Sequence, residues 1–263
     1  MNYLSKISGR RHHCTGTASR FACIMLHEPS VLAKAYFQEG KMLPWPDIDT
    51  IMFDMDGTLL DLHFDNYFWQ QLIPKLYGEK HGLSEDAALE FMHCKTTEVQ
   101  GTLDWYCLDY WKEQLQLDIT GLKRDAKHKI NIRPHVEDIL LELKLSDKRV
   151  VLVTNAHPSS LAIKMEHTGI AHYFDQCISS HTLELAKENQ GFWQSLQKVE
   201  RYDPERTVLF DDSLAVLRQA KREGIKHLFG IMQPDSKKPG VPMDEFPQID
   251  RFEEILPSLS SPN

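Results

Sequence analysis

The sequence predicts an α/β fold, a doubly wound parallel sheet that carries an inserted helical unit. Three observations predict it. The apolar run Ile51-Met52-Phe53 stops at Asp54-Met55-Asp56-Gly57-Thr58, as a buried strand does when polar groups gather at its carboxyl end. From Arg133 onward, strand-like and helix-like stretches alternate at βαβ spacing, which implies parallel pairing with helices on both faces. Between the two, residues 61–132 contain helical stretches and no β-branched alternating run.

In chain order, the first strand leads into helical patterns over Asn66–Tyr77, Ser84–Cys94 and Leu103–Leu117. Ser84-Glu85-Asp86-Ala87 supplies an N-cap serine with acids in the first turn. His135–Leu145 reads as helix and Arg149–Thr154 as strand. Ser159–Thr168 is helix, closed by Gly169. A short apolar stretch, Phe174–Ile178, comes next, then a loop and a helix over Gln190–Glu200. Thr207–Asp211 is strand, Leu214–Glu223 helix stopped by Gly224, and Lys226–Ile231 the last strand. Beyond Gln233 the Pro-, Asp- and Ser-rich sequence predicts a surface tail with a short helix near Phe252–Leu256. The organisation expected is a core of residues 42–60 and 133–263 and a helical unit of residues 61–132.

The first 41 residues differ from the rest. They hold six basic groups and two acidic ones, whereas the chain as a whole carries −8. The segment is expected to be disordered or a non-native extension. A transit peptide is one reading of a basic, acid-poor start. The other is that Met42 initiates the protein, since Glu39-Gly40 would be encoded by a purine-rich stretch like a bacterial ribosome-binding site. The acidic remainder disfavours a nucleic-acid polymer, whose phosphates need a basic face. Five cysteines without metal-like CxxC spacing suggest neither a disulfide framework nor a zinc site, and a reducing, cytoplasmic setting fits. No apolar run approaches the ~20 residues that span a bilayer.

Asp54 and Asp56 lie two residues apart, and strand periodicity points both carboxylates the same way. Two anions that close repel unless a cation sits between them, and oxygen ligands of this kind suit Mg²⁺. Gly57 allows the sharp turn that follows. Two further strand ends carry polar groups: Thr154-Asn155 after Val150–Val153, and Asp211-Asp212-Ser213 after Thr207–Phe210. Lys187 lies between them, just before a helix.

Asp54-x-Asp56-Gly57-Thr58, Thr154, Lys187 and Asp211-Asp212, in this order, resemble the motifs of the haloacid-dehalogenase superfamily of phosphatases. The resemblance implies a Rossmann-like core in which residues 61–132 form a cap. It implies Asp54 as the nucleophile that becomes an aspartyl-phosphate, and Asp56 as general acid and base. Thr154 and Lys187 would bind the phosphoryl group, with Asn155 beside them. Asp54, Asp56, Asp211 and Asp212 would hold Mg²⁺. Taken singly, each residue also has a plainer reading: Thr154 could merely end a strand, Lys187 could be solvated, and Asp212-Ser213 could cap a helix. Asp56 favours phosphate esters over carbon–halogen bonds, because a leaving alkoxide needs a proton. A phosphonate-cleaving relative would use a cap lysine, for which Lys75, Lys80, Lys95 and Lys112 are available.

The cap is rich in aromatics beside hydrogen-bonding groups: Phe64-Asp65-Asn66-Tyr67, Trp69, Asp104-Trp105-Tyr106 and Asp109-Tyr110-Trp111. Aromatic faces stack on bases, although most such residues in helices serve packing. These segments, with Thr154-Asn155-Ala156-His157-Pro158, resemble the purine 5′-nucleotidases of the superfamily. The departures are the amino-terminal segment and Ala186, where proline is frequent before the lysine. The function implied is Mg²⁺-dependent hydrolysis of a purine nucleoside monophosphate, GMP or IMP, with Trp105 and Tyr67 as stacking residues. The alternatives are a sugar-phosphate phosphatase or a β-phosphoglucomutase-like enzyme, or a non-catalytic protein on the same scaffold.

Overall fold

Among the described residues, six strands form one parallel sheet: β1 (Thr50–Phe53), β2 (Arg149–Thr154), β3 (Gln176–Ser179), β4 (Thr207–Asp211), β5 (His227–Ile231) and β6 (Gln248–Ile249). Their order is β3-β2-β1-β4-β5-β6. β1 is therefore central, with Ile51 opposite Val150 on one side and Val208 on the other. The strand order reverses across β1, and the crevice beyond its carboxyl end is where such sheets bind ligands. The computed structural model describes residues 43–256, so the expectations for residues 1–41 lie outside the described residues.

The helices are α1 (His63–Tyr67, a π-helical turn over Phe68–Leu72, then Ile73–His81), α2 (Glu85–Val99), α3 (Leu103–Tyr106), α4 (Leu108–Leu115), α5 (Ile119–Asp125), α6 (Val136–Lys144), α7 (Pro158–Thr168), α8 (Phe192–Val199) and α9 (Leu214–Arg222). Ser84 caps α2, its Oγ accepting the Ala87 amide at 3.3 Å. Gly169 ends α7 in the left-handed region at φ 72°. Each strand divides its side chains between two layers, as period two requires. Ile51, Phe53, Val150, Leu152 and Phe210 join Ile139, Leu140 and Ile163 on one face. Met52, Val151, Val153 and Leu209 join Phe192, Trp193 and Leu196 of α8 and Val216, Leu217 and Ala220 of α9 on the other. Each fully buried apolar side chain of this kind contributes about 1.5–3 kcal/mol.

Three sequence expectations change. The helix expected over Leu103–Leu117 is broken at Cys107, whose backbone is extended, and its Sγ instead caps α4 by accepting the Tyr110 amide at 3.5 Å. α5 was not expected; Asp118 caps it through the Gly121 amide. The tail after Gln233 is no surface appendage. β6 extends the sheet, and Asp235, Phe246, Ile249, Phe252 and Ile255 are buried. A two-residue strand is too short to show periodicity.

The segments that enter and leave the helical insert pair with each other. Leu60 and Ile132 form an antiparallel bridge, and the Asp61 amide donates to Asn131 O at 2.9 Å. Arg133 secures this junction by donating to Gly57 O, Gln233 O and Asp250 O at 3.2, 2.5 and 3.0 Å.

Candidate active site

The Asp54 amide still donates to Phe210 O of β4 at 2.9 Å, so the sheet fixes its backbone before the chain turns. Gly57 makes the turn at φ 88°. A Cβ there would lie 2.5 Å from Asp212 Oδ2 and 2.7 Å from Asp212 Cγ, so the absent side chain is what lets the Asp212 carboxylate approach β1. β4 ends in Asp211, and β2 in Thr154.

Lys187 joins these strand ends. Its ammonium donates to Asp54 Oδ1 at 2.5 Å, Asp211 Oδ2 at 2.7 Å and Val153 O at 3.1 Å, which uses all three protons. Lys187 is 1% exposed. Burial opposes its charge, but Asp211 and Asp54 more than compensate and raise its pKa. Asn155 holds it from behind: its Oδ1 accepts the Lys187 amide at 2.9 Å, and its Nδ2 donates to Glu188 Oε2 at 2.8 Å. Thr154 Oγ1 accepts the Ala156 amide at 3.0 Å, leaving the hydroxyl proton available to a ligand.

The carboxylates are desolvated and crowded. Burial pushes Asp54 up to about 6 against the pull of Lys187, and Asp56 up to about 6 against the pull of Lys164. Burial also raises Asp211, against Lys187. Asp212 is raised furthest, by burial and by the neighbouring anions Asp54 and Asp211. One lysine does not balance three acids. Their donor set is oxygen only, which fits a hard divalent cation such as Mg²⁺ rather than a thiophilic metal.

The site opens into a cavity of about 670 Å³ lined by Asp54, Asp56, Thr154, Asn155, Lys187, Asp211 and Asp212 below and by Asn66, Trp69, Trp105, Tyr106 and Trp111 from the insert. Seven polar residues expected from the sequence thus converge. Trp105 also lines the cavity, whereas Tyr67 does not: the Lys129 ammonium sits 4.6 Å from its ring centroid. The structure therefore does not bring Tyr67 into the cavity with Trp105.

The haloacid dehalogenase-like hydrolase family model matches residues 48–226, which contain all of these strand ends. The chain belongs to this family. This hydrolase is 42% identical over 217 residues to the GMP/IMP nucleotidase YrfG of Escherichia coli strain K12, covering 82% of the present chain and 98% of that protein. Among solved structures, a phosphatase of the family from Thermococcus onnurineus superposes with a TM-score of 0.67 at 22% identity, covering 81% of this chain and 98% of that one. The hydrolase YfnB from Bacillus subtilis, solved bound to magnesium, superposes with a TM-score of 0.56 at 17% identity and covers 81% and 99%. These two likenesses show the fold.

Within the hydrolase, a second polar cluster escaped sequence reasoning. Lys164 of α7 is 1% exposed, and its Nζ lies 2.6 Å from both Asp56 Oδ1 and Asp65 Oδ2. Asp65 Oδ1 in turn accepts from Lys123 of α5 at 2.6 Å. The Lys123 ammonium also faces the rings of Phe64, Phe68 and Trp69 at 5.1, 4.9 and 5.8 Å. Burial would raise Asp65, but Lys123 and Lys164 hold it well below the usual carboxylate range. Lys164 lies one turn after the buried Ser160, but a lysine in an amphipathic helix is ordinarily solvated, so the sequence carried no signal for it. Of the cap lysines considered for imine chemistry, Lys75 pairs with Glu79, Lys80 donates to Gln116 O and Lys95 pairs with Glu98; none of the four lines the cavity. Tyr106 and Glu188, also unforeseen, join cap and core through a 2.8 Å bond.

Proposed function

We propose that this hydrolase is a Mg²⁺-dependent phosphomonoesterase that releases phosphate from purine 5′-mononucleotides, GMP and IMP. The observation that carries the chemistry is the placement of Lys187 between Asp54 and Asp211 at the floor of an aromatic-lined cavity. The substrate class rests on the 42% identity to the nucleotidase YrfG, which extends over 98% of that protein and so includes its cap.

In this reading a carboxylate oxygen of Asp54 attacks phosphorus and forms an aspartyl-phosphate, while Asp56 protonates the departing ribose oxygen. Asp56 then takes a proton from water, which attacks the acyl-phosphate and regenerates Asp54. A carboxyl group pushed up to about 6 is suited to both duties near neutrality. Lys187 and the Thr154 hydroxyl stabilise the negative charge on the equatorial oxygens without reorganising, because the fold already fixes them. Asp54, Asp211, Asp212 and the Asp56 carbonyl would hold Mg²⁺, which supplies charge neutralisation between nucleophile and phosphate. Trp105 of α3 would offer the purine a face, with Asn66 within the same cavity for its edge.

The test is inorganic phosphate release from a panel of mononucleotides and hexose phosphates, with and without EDTA. Preference for GMP and IMP, abolished by chelation, is expected. Faster turnover of hexose phosphates would replace this reading with the sugar-phosphate one, and conversion of a hexose phosphate to its isomer without phosphate release would indicate a mutase.

A further inference from the structure

Cys107, His157 and His181 meet at the seam between cap and core, and His157 also lines the cavity above the acidic residues. Their ligand atoms all lie within 4.8 Å of one another. Cys107 joins α3 to α4 in the cap; His157 precedes α7, and His181 follows β3, in the core. The Tyr110 amide at the start of α4 donates to the Cys107 sulfur at 3.5 Å. His181 Nε2 is buried and has no hydrogen-bond partner. A buried imidazole nitrogen left without a hydrogen-bond partner, beside a thiol and a second imidazole, is placed to ligate a metal. His157 Nε2 faces the exposed carboxylate of Asp109 at 3.5 Å, and the two imidazole rings are 5.0 Å apart, edge to face.

We propose that Cys107, His157, His181 and Asp109 form a tetrahedral transition-metal site of the zinc class that clamps the cap onto the core. A thiolate, two imidazoles and a carboxylate suit Zn²⁺, whereas the all-oxygen catalytic set suits Mg²⁺, so one protein would hold two chemically distinct metal sites. Bond lengths of about 2.0–2.3 Å place tetrahedral ligand atoms roughly 3.5 Å apart, so the cluster closes by about an ångström on binding. The thiol proton leaves to solvent. Ligation through His157 Nε2 moves that ring's proton to Nδ1 and gives up the 3.3 Å contact from the Ser159 amide. Two ligands belong to the cap and two to the core, and His157 lines the cavity, so an occupied site restrains cap opening and slows turnover.

The experiment titrates Co²⁺ into the full chain under saturating Mg²⁺. A thiolate-to-cobalt charge-transfer band with tetrahedral visible absorption is expected at one equivalent, displaced by Zn²⁺. Cys107→Ser and His181→Gln, each checked for fold by circular dichroism, should lose the band and weaken Zn²⁺ binding roughly tenfold or more. Cys94→Ser should keep both. Zn²⁺ should slow amide exchange at residues 59–62 and 131–133 in the parent chain and not in His181→Gln. A parent chain without the charge-transfer band, or a band that survives Cys107→Ser or His181→Gln, overturns the proposal. If Cys107→Ser does not fold, His181→Gln decides alone. The readout is spectroscopic, so it is independent of which phosphate ester the enzyme hydrolyses.

Discussion

Asp65→Asn removes the anion shared by Lys123 of the cap and Lys164 of the core. The side chains of Asp65, Lys123 and Lys164 are 16%, 4% and 2% exposed, so solvent screens the pairs little. Lys164 keeps Asp56 at 2.6 Å, but Lys123 is left with only three aromatic faces. Stranding a buried charge costs about 3–5 kcal/mol, and ring attraction offsets about 2 kcal/mol at most. At about 2–4 °C per kcal/mol for a domain of this size, an uncompensated loss lowers Tm by roughly 6–20 °C. Lys123→Met alone should do less, because Asp65 retains Lys164. The double variant should recover most of the loss, since methionine fits the apolar surroundings once no carboxylate needs a cation. Urea unfolding of the four proteins completes the cycle. If the two losses simply add to within about 0.5 kcal/mol, the lysine and aspartate are not coupled and the cluster does not tie cap to core.

The same cluster predicts a pH dependence: Asp65 titrates lower in the folded than the unfolded protein, so its contribution is present above the ordinary carboxylate range and lost as pH falls through the depressed folded pKa. The acid limb of Tm against pH should flatten in Asp65→Asn; an unchanged limb assigns it to other carboxylates. Asp54→Asn should abolish turnover of every ester, whereas Asp56→Asn should still be phosphorylated by an ester with a good leaving group, as read by mass spectrometry; equal inertness would contradict a separate proton-transfer role for Asp56. Trp105→Ala should lower kcat/KM for a purine nucleotide by an order of magnitude or more, from about 1–3 kcal/mol of lost stacking, while p-nitrophenyl phosphate turns over nearly as before. Parallel losses on both would make Trp105 a packing residue. Gly57→Ala should weaken Mg²⁺ binding measured by calorimetry, because the new Cβ displaces Asp212; unchanged affinity would remove Asp212 from the metal's ligands.

The floor of the site was legible because Asp54, Thr154 and Asp211 stand where an apolar run stops at a polar side chain, with Lys187 just before a helix. The order Asp54, Thr154, Lys187, Asp211 along the chain then becomes proximity through parallel pairing. The Lys164–Asp65–Lys123 cluster was not legible. It forms between elements far apart in sequence, and a lysine in an amphipathic helix is ordinarily solvated. Tyr67 and Trp105 looked equivalent as aromatic residues beside acids, yet only Trp105 lines the cavity. Cys107 shows the same limit, since helical periodicity runs through it and the break comes from a sulfur cap. β6 was hidden by its length and by the polar composition around it.

The antiparallel bridge between Leu60 and Ile132 brings the insert's two ends side by side, with Arg133 fastening them to the core. Where a chain leaves and returns at the same point, the sheet is insensitive to what lies between. An unrelated segment of different length could be spliced there with little added loop entropy, since doubling a loop costs only about 0.6 kcal/mol. The strand ends that carry the acidic cluster and the helices that cover it can thus diversify independently, the second exchanged as a cassette while the first stays whole.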